Sequence, residues 1–329
     1  MSTSIPSPVS SPVPPDAIFV GIDVSADRLD LARHDQTQVW SFPNDEKGIN
    51  KLLELLRPWK PARIALESTG KLERPLLNAL LDAHLNACHV NPQRVRQFAN
   101  GMGWLAKTDS LDARILARFA EKAGPRISTK SPEKQAELAE LLTCRRQLIE
   151  TRTAHGNQLK RTSSTFAGKR LENVLENLQE QIEELDDRIS EIIDSDDDMS
   201  HLNTILQSVT GVGTVLAATL IAQLREIGHL DHRPLSALVG LAPYNNDSGR
   251  HKGTRSIRGG RAAVRSVLYV CTVAAIRHNP ILKAKYEQLR AAGKAAKVAI
   301  IACARKLLRI LNALVRDNTT WQNPKIKIA

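Results

Sequence analysis

Residues 17–24 read Ala-Ile-Phe-Val-Gly-Ile-Asp-Val, an apolar run interrupted only by Gly21 and Asp23. Such a run, bounded by turn formers, is a buried strand, and a carboxylate inside one is costly to bury unless it is paired or holds a metal. The surroundings of this strand set the fold class. Residues 28–32 and 38–42 are two more short apolar or alternating runs, and residues 46–56 carry a helical pattern. A further strand over 63–66 runs into Glu67-Ser-Thr-Gly70, after which residues 72–85 are helix-like, 87–90 strand-like and 92–124 mostly helical. A meander of strands, then strands alternating with helices, predicts a mixed α/β domain over residues 16–125. Residues 1–15 form a Ser/Pro tail with neither the basic nor the apolar region of a signal peptide, so a disordered extension is expected there.

A Pro/Ser/Lys stretch over 125–132 reads as a linker. Beyond it Leu171, Leu175, Leu178, Ile182, Leu185, Ile189 and Ile192 recur at alternating spacings of four and three, a heptad seam. Residues 126–200 are therefore expected to hold a linker and coiled-coil helices. A seam this regular favours self-association, as a homodimer or homotetramer. The competing reading is a hairpin within one chain, against the weaker pattern at Leu138, Leu142 and Ile149. The outer face is acidic, with twelve carboxylates over residues 170–200 against Arg170 and Arg188, and should avoid nucleic acid. Residues 201–329 predict a mainly α domain, punctuated by Gly211-Val-Gly213 and by a Gly- and Arg-rich loop over 244–260. Val209 to Val215 resembles a helix-hairpin-helix turn, in which glycines let backbone N–H groups approach a phosphate; a plain interhelical turn accounts for the same residues.

Charge distribution points to the partner. The 329 residues carry 46 Lys and Arg against 35 Asp and Glu, a net +11. Residues 201–329 alone hold 20 Lys and Arg against five acidic residues, so they carry +15 while the first 200 residues carry −4. That asymmetry is the electrostatic footprint of a polyanion-binding surface, and nucleic acid is the polyanion it implies. An apolar fraction of 42% excludes wholesale disorder, and aromatics at 4% argue against base stacking as the main device. The four cysteines are scattered without a Cys-x-x-Cys pair, which excludes a zinc ribbon and argues for a reduced, cytoplasmic setting. The longest uncharged apolar stretch, residues 212–224, falls short of the roughly 20 residues that span a bilayer, so no membrane segment is expected.

Asp23 gains meaning from three other carboxylates. Glu67 closes a second strand in Ile64-Ala-Leu-Glu-Ser-Thr, and Asp109 and Asp112 follow in Lys107-Thr-Asp-Ser-Leu-Asp-Ala-Arg114, spaced to share one helix face. Singly, each has an ordinary structural reading; Asp109 serves equally as a helix N-cap, and a Gly-Ile-Asp-Val strand also occurs in actin-like ATPases and sugar kinases. Together they suit two hard divalent cations, Mg²⁺ or Mn²⁺, which take oxygen ligands and retain water for a reacting phosphate. The second phosphate loop and the adenosine-binding glycine pair of an actin-like kinase are absent.

The order Asp23, Glu67, Asp109, Asp112 resembles the DEDD tetrad of RuvC-like transposases of the insertion-sequence one-ten family. A second match lies in Gly240-Leu-Ala-Pro-Tyr-Asn-Asn-Asp-Ser-Gly249, followed by Gly253 and Arg258-Gly-Gly-Arg261, which resembles that family's transposase domain. The resemblance implies an RNase H-like N-terminal domain over 16–125 and a transposase domain over 201–329 whose Ser248 is the nucleophile. It implies cleavage of donor and target DNA through a covalent phosphoserine, a non-coding bridge RNA that pairs with both, and association of dimers into tetramers with a site composed from two protomers. The protein would act in the bacterial cytoplasm, at the nucleoid. Read from chemistry alone, Ser248 is an ordinary turn residue, raised by the company of Arg250, Lys252, Arg255, Arg258, Arg261 and Arg265, cations suited to clamp a phosphodiester. Tyr244, Thr254 and Ser256 are the other hydroxyls of the loop. A junction-resolving nuclease with the same tetrad and water as nucleophile is the alternative reading.

Overall fold

The computed structural model describes residues 16–104, 109–245, 247–248, 251–253 and 255–322; for residues 109–110, 247–248 and 251–252 it describes the backbone. The Ser/Pro tail and Arg250 lie outside the described residues. The chain divides into two compact units, Met1–Lys130 and Ser131–Ala329.

In the first unit β1 (Phe19–Val24), β2 (Arg28–Arg33) and β3 (Val39–Pro43) form an antiparallel meander. Helix α1 (Glu46–Trp59) leads to β4 (Arg63–Glu67), which pairs parallel with β1. Helix α2 (Arg74–Asp82) leads to β5 (Ala87–Val90), parallel with β4, and α3 (Pro92–Gly101) and α4 (Asp109–Ala123) follow. The strand order is β3-β2-β1-β4-β5. Local chemistry starts and stops α1: Asp45 accepts the Gly48 N–H at 2.7 Å as its N-cap, and Lys60 closes it in the left-handed region at φ 45°.

The period of two along a strand gives the sheet two different faces. Val20, Ile22, Val24, Leu29, Leu31, Ile64 and Leu66 meet Leu52 and Leu56 of α1 and Leu76 and Leu80 of α2. The other face shows Phe19, Ala65, Cys88 and Val90 to Val95 and Ala99 of α3 and Ile115, Leu116 and Phe119 of α4. Each fully buried leucine contributes about 1.5–3 kcal/mol of transfer free energy. The meander, the parallel pair and the flanking helices all follow the sequence pattern, with ends displaced by one to three residues.

In the second unit α5 (Glu133–Leu159) and α6 (Thr165–Asp194) form an antiparallel hairpin. Its direction is read from pairs whose numbers run oppositely: Arg188 with Glu137 at 2.8 Å, Arg145 with Asp186 at 2.5 Å, and Arg152 with Gln179. Leu178, Ile182, Ile189 and Ile192 of the heptad seam are buried inside this single chain. Helix α5, 27 residues long and immediately before the 30-residue α6, covers these positions within one chain, while Leu171, Leu175 and Leu185 of the seam stay half-buried. Leu138, Leu142, Ile189 and Ile193 at the hairpin base join the core of the helices that follow.

Those helices are α7 (Asp197–Gln207), α8 (Thr214–Gln223), α9 (His232–Val239), α10 (Ala262–His278), α11 (Pro280–Ala291) and α12 (Ala296–Arg316). Between α9 and α10 lie two small ribbons, β6 (Pro243–Tyr244) with β9 (Ser256–Ile257) and β7 (Asp247–Ser248) with β8 (His251–Lys252). Helix α8 is buried continuously from Leu216 to Ile221, which explains the long apolar stretch as the central core helix of this unit. Among the described residues no helix is long and apolar enough to cross a membrane.

Candidate active site

Asp23 lies on the face of β1 that alternates with the Val20, Ile22, Val24 side, the face covered by α4. Its neighbour in the parallel pair is fixed by register: Ile22 stands beside Leu66, so Asp23 and Glu67 follow at the carboxyl ends of adjacent strands. Glu67 shares its face with Ala65, again the α4 side. Both carboxylates are half-buried.

Small residues bring α4 down onto this face. A Cβ on Gly21 would sit 2.2 Å from the carbonyl oxygen of Ala113 and 2.2 Å from the amide nitrogen of Ala117. The chain leaving α4 is pinned at the other end of the sheet: Arg63, which begins β4, donates Nε–H to the Pro125 carbonyl at 3.1 Å, and the Ser128 N–H reaches the Ala87 carbonyl at 2.8 Å. Helix α4 therefore runs back along β1. At about 1.5 Å of rise per residue its 15 residues outreach the strands, and its first turn, with Asp109 and Asp112, falls toward the carboxyl ends of β1 and β4. Asp23, Glu67 and the backbone of the first turn of α4, which carries Asp109 and Asp112, thus lie toward one end of one sheet face.

Asp30, the register partner of Asp23 on β2, is 4% exposed and is neutralised locally, taking Arg28 Nε–H at 2.8 Å and the Ser41 hydroxyl at 2.5 Å. Asp23, Glu67 and Asp112 are each engaged by a partner. Their oxygen-only chemistry fits Mg²⁺ or Mn²⁺. Among the described residues no three carboxylate, imidazole or thiolate groups are grouped to hold a metal ion, and the Asp109 side chain lies outside them.

One residue of this end escapes sequence reasoning. Glu73, 3% exposed, braces the turn that follows Glu67. Its Oε2 accepts the N–H groups of Thr69 and Lys71, both at 3.0 Å, and the Thr69 hydroxyl at 3.3 Å. Its Oε1 lies 3.1 Å from His89 Nε2, which in turn lies 2.8 Å from Ser68 Oγ. Gly70 and Lys71 stand at φ 69° and 87°, and the carboxylate holds this left-handed pair in place. Burial pushes the Glu73 carboxyl up, but the N–H groups of Glu73 and Thr69, with His89 opposite, outweigh it and hold the group below its ordinary range. In the sequence Glu73 looks like any acidic residue at a helix start.

In the second unit Ser248 ends β7, register partner of His251 on β8, and Asp247 opposes Lys252. The side chains of Ser248 and Lys252 lie outside the described residues. Arg255 is exposed, and the Arg258 guanidinium stacks over the Tyr244 ring at 5.1 Å. Two other arginines of the expected clamp are engaged within the fold. Arg261 grips Glu226 with two bonds, at 2.6 and 2.8 Å, and the Gln223 carbonyl at 2.8 Å, tying the start of α10 to the end of α8. Arg265 donates to the carbonyls of Val239 and Gly259 at 3.1 and 2.5 Å.

The glycines of the loop have a packing cause. Gly240 and Gly260, at φ 78° and 69°, cross so closely that a Cβ on Gly240 would meet the Gly259 carbonyl at 2.1 Å, and one on Gly260 the Gly240 nitrogen at 2.3 Å. Gly211, at φ 95°, is pressed on α10, where a Cβ would meet that of Ala275 at 2.4 Å. Gly213, the N-cap of α8, is exposed with nothing within 4 Å of such a Cβ. The interhelical-turn reading accounts for Gly211; Gly213 is the glycine that packing does not explain.

Two family models match the chain: one described as "Transposase", under the name DEDD_Tnp_IS110, over residues 20–164, and one described as "Transposase IS116/IS110/IS902 family" over residues 203–287. The "Pilin gene-inverting protein" of Moraxella bovis is 25% identical over 314 residues, covering 91% of this chain and 96% of that protein. The "Insertion element IS116 uncharacterized 44.8 kDa protein" of Streptomyces clavuligerus is 25% identical over 386 residues, covering 92% and 95%. The "Transposase for insertion sequence element IS1111A" of Coxiella burnetii is 25% identical over 224 residues, covering 57% and 59%. The two models are successive parts of one family, and between them they take in the strand ends of Asp23 and Glu67, the Asp109–Asp112 turn and the Gly- and Arg-rich loop in one chain. The protein belongs to the IS116/IS110/IS902 family of insertion-sequence transposases, enzymes of DNA recombination.

Proposed function

We propose that this transposase cleaves, exchanges and rejoins donor and target DNA through a covalent phosphoserine at Ser248, with two Mg²⁺ or Mn²⁺ ions and a non-coding bridge RNA that selects the sites. The observation that carries the reading is the gathering of Asp23, Glu67 and the first turn of α4 at one end of one sheet face. The β3-β2-β1-β4-β5 order, an antiparallel meander joined to parallel strands, supports an RNase H-like, RuvC-like domain. Asp23, Glu67, Asp109 and Asp112 would hold the metal, whose chemistry is to neutralise the charge of the scissile phosphate.

In the covalent step Ser248 Oγ forms a bond to phosphorus as the bond from phosphorus to one deoxyribose oxygen breaks. The hydroxyl proton leaves Ser248 and the departing oxygen takes up a proton. Rejoining reverses these changes with a different strand end, so the phosphodiester energy is retained and no nucleotide cofactor is consumed. Arg255 and Arg258, with Arg250 and Lys252, supply cations for the phosphates; Arg261 and Arg265 shape the loop, and Gly213 offers backbone N–H groups. Association into dimers and tetramers would bring the two units of different protomers together.

Ser248→Ala and Asp23→Ala test the reading on a nicked or suicide DNA substrate. The wild type should leave DNA attached to the Ser248 peptide, both variants should lose the adduct, and Tyr244→Phe should keep it. Free cleaved ends without an adduct would assign the attack to water and the protein to the nuclease class.

A further inference from the structure

A cleft of about 130 Å³ in the first unit lies away from the carboxylates. It is lined by Arg33, His34 and Asp35 at the end of β2, by Gln36 and Thr37 of the following turn, and by Trp104, Arg114 and Arg118. The start of β2, at Asp30, lies beside Asp23, whereas Arg33 lies beside Val20, so the cleft opens at the opposite end of the sheet.

Its chemistry is specific. Three guanidinium groups and an imidazole face one carboxylate, Asp35, which is already committed: Arg33 grips it with bonds at 3.0 and 2.6 Å and stacks over Trp59 at 4.9 Å. Arg114 and Arg118 lie one turn apart on α4; Arg118 has Glu121 at 3.0 Å, while Arg114 is exposed and has no carboxylate partner among the described residues. His34 takes the Phe19 N–H on Nδ1 at 3.2 Å, which leaves Nε2 as the donor of the neutral ring. Trp104 packs partly against the α3/α4 core, so its indole is held while it lines the cleft. Gln36 and Thr37 are exposed and add an amide and a hydroxyl.

We infer that this cleft binds an unpaired stretch of nucleic acid, one base stacking on Trp104 while Arg114 and Arg118 take the neighbouring phosphates. The inference rests on the nucleic-acid reading above. A flat apolar ring beside spaced guanidinium groups is the device that single strands use, since a duplex keeps its base faces covered and offers such a site only phosphate. The Gln36 amide and Thr37 hydroxyl suit the polar edge of a base. The sequence asymmetry pointed to residues 201–329 for binding; this site lies in the unit of lower net charge and depends on local clustering.

The test uses the full chain and 20-nucleotide single strands carrying 5-iodouracil, one DNA and one RNA, with the matching duplexes as further arms. Irradiation should attach a single strand, and not a duplex, to the peptide bearing Trp104. Whichever of DNA and RNA attaches identifies the strand that occupies the cleft. Arg114→Ala/Arg118→Ala, with folding checked by thermal unfolding because Arg118 also bonds Glu121, should cut the yield about tenfold. It should also lower the salt slope of single-strand binding by about 1.4, for two phosphates lost. Trp104→Phe should retain binding, because a phenyl ring still stacks. An unchanged yield and slope in the double variant, no adduct at Trp104 with either strand, or equal attachment of duplex, overturns the proposal. Because attachment is read without cleavage, Asp23→Ala must crosslink like the wild type, so a failure of the cleavage chemistry is read separately from a failure of this site.

Discussion

At the scale of single residues, the fold decides which charged groups are available. Arg261 and Arg255 are both arginines of one basic loop, yet Arg261 holds Glu226 in a two-bond pair and Arg255 is exposed. Arg261→Ala should therefore lower stability by about 1 kcal/mol in chemical denaturation, a modest value because the pair is partly solvated. Arg255→Ala should leave stability within about 0.5 kcal/mol and weaken nucleic-acid binding instead. Glu73 gives a pH signature. Its folded-state carboxyl titrates below the ordinary value, so the stability it contributes is fully present above about pH 4.3 and is lost as pH falls through the lower folded value. Glu73→Ala strands the Thr69 and Lys71 N–H groups and should cost about 1–3 kcal/mol at pH 7. Glu73→Gln retains an acceptor oxygen and should cost less, with a shallower loss of stability in acid; an acid limb as steep as the wild type's would exclude Glu73 as its source.

At the scale of elements, the placement of α4 depends on Gly21. A methyl group there meets main-chain atoms of Ala113 and Ala117 at 2.2 Å, which no rotamer change relieves. Gly21→Ala should destabilise the first unit by at least the 1–3 kcal/mol typical of overpacking and should abolish recombination, since the first turn of α4 carries Asp109 and Asp112. Thermal unfolding and a recombination assay check both outcomes. The α5/α6 hairpin makes a different statement. Ile182 is 4% exposed against α5, and Ile182→Ala should cost about 2–5 kcal/mol in the second unit with the oligomeric state unchanged in sedimentation. Dissociation of an assembly on this change would mean that the seam also joins chains.

At the scale of the whole molecule, charge separation sets the binding physics. The acidic hairpin face and the +15 of residues 201–329 belong to the same unit, so nucleic acid should approach the latter and be turned from the former. If about six phosphates are contacted, raising salt from about 50 to 200 mM should weaken binding on the order of a thousandfold by counterion release. Glu176→Lys/Glu180→Lys on the hairpin should leave specific binding intact, and a salt-insensitive affinity would contradict the electrostatic account.

The sequence by itself determined the meander, the parallel strands, the long helices and the candidate carboxylates, because periodicity and strand-end position are local properties of the chain. Its regular heptad seam favoured self-association over a hairpin within one chain, yet a row of apolar residues records that something covers it and not what. Only the tertiary structure decided that α5 covers it, that Gly21, Gly240 and Gly260 exist for close backbone crossings, and that Arg261 and Arg265 are engaged inside the fold. The Trp104 cleft belongs to the same class, being made by residues distant in sequence, and so does the approach of His89 to Glu73; such contacts leave no period along the chain. The physical reason is that propensity and patterning act over a few residues, whereas partners of a buried charge or a half-buried ring are chosen by the packing of whole elements.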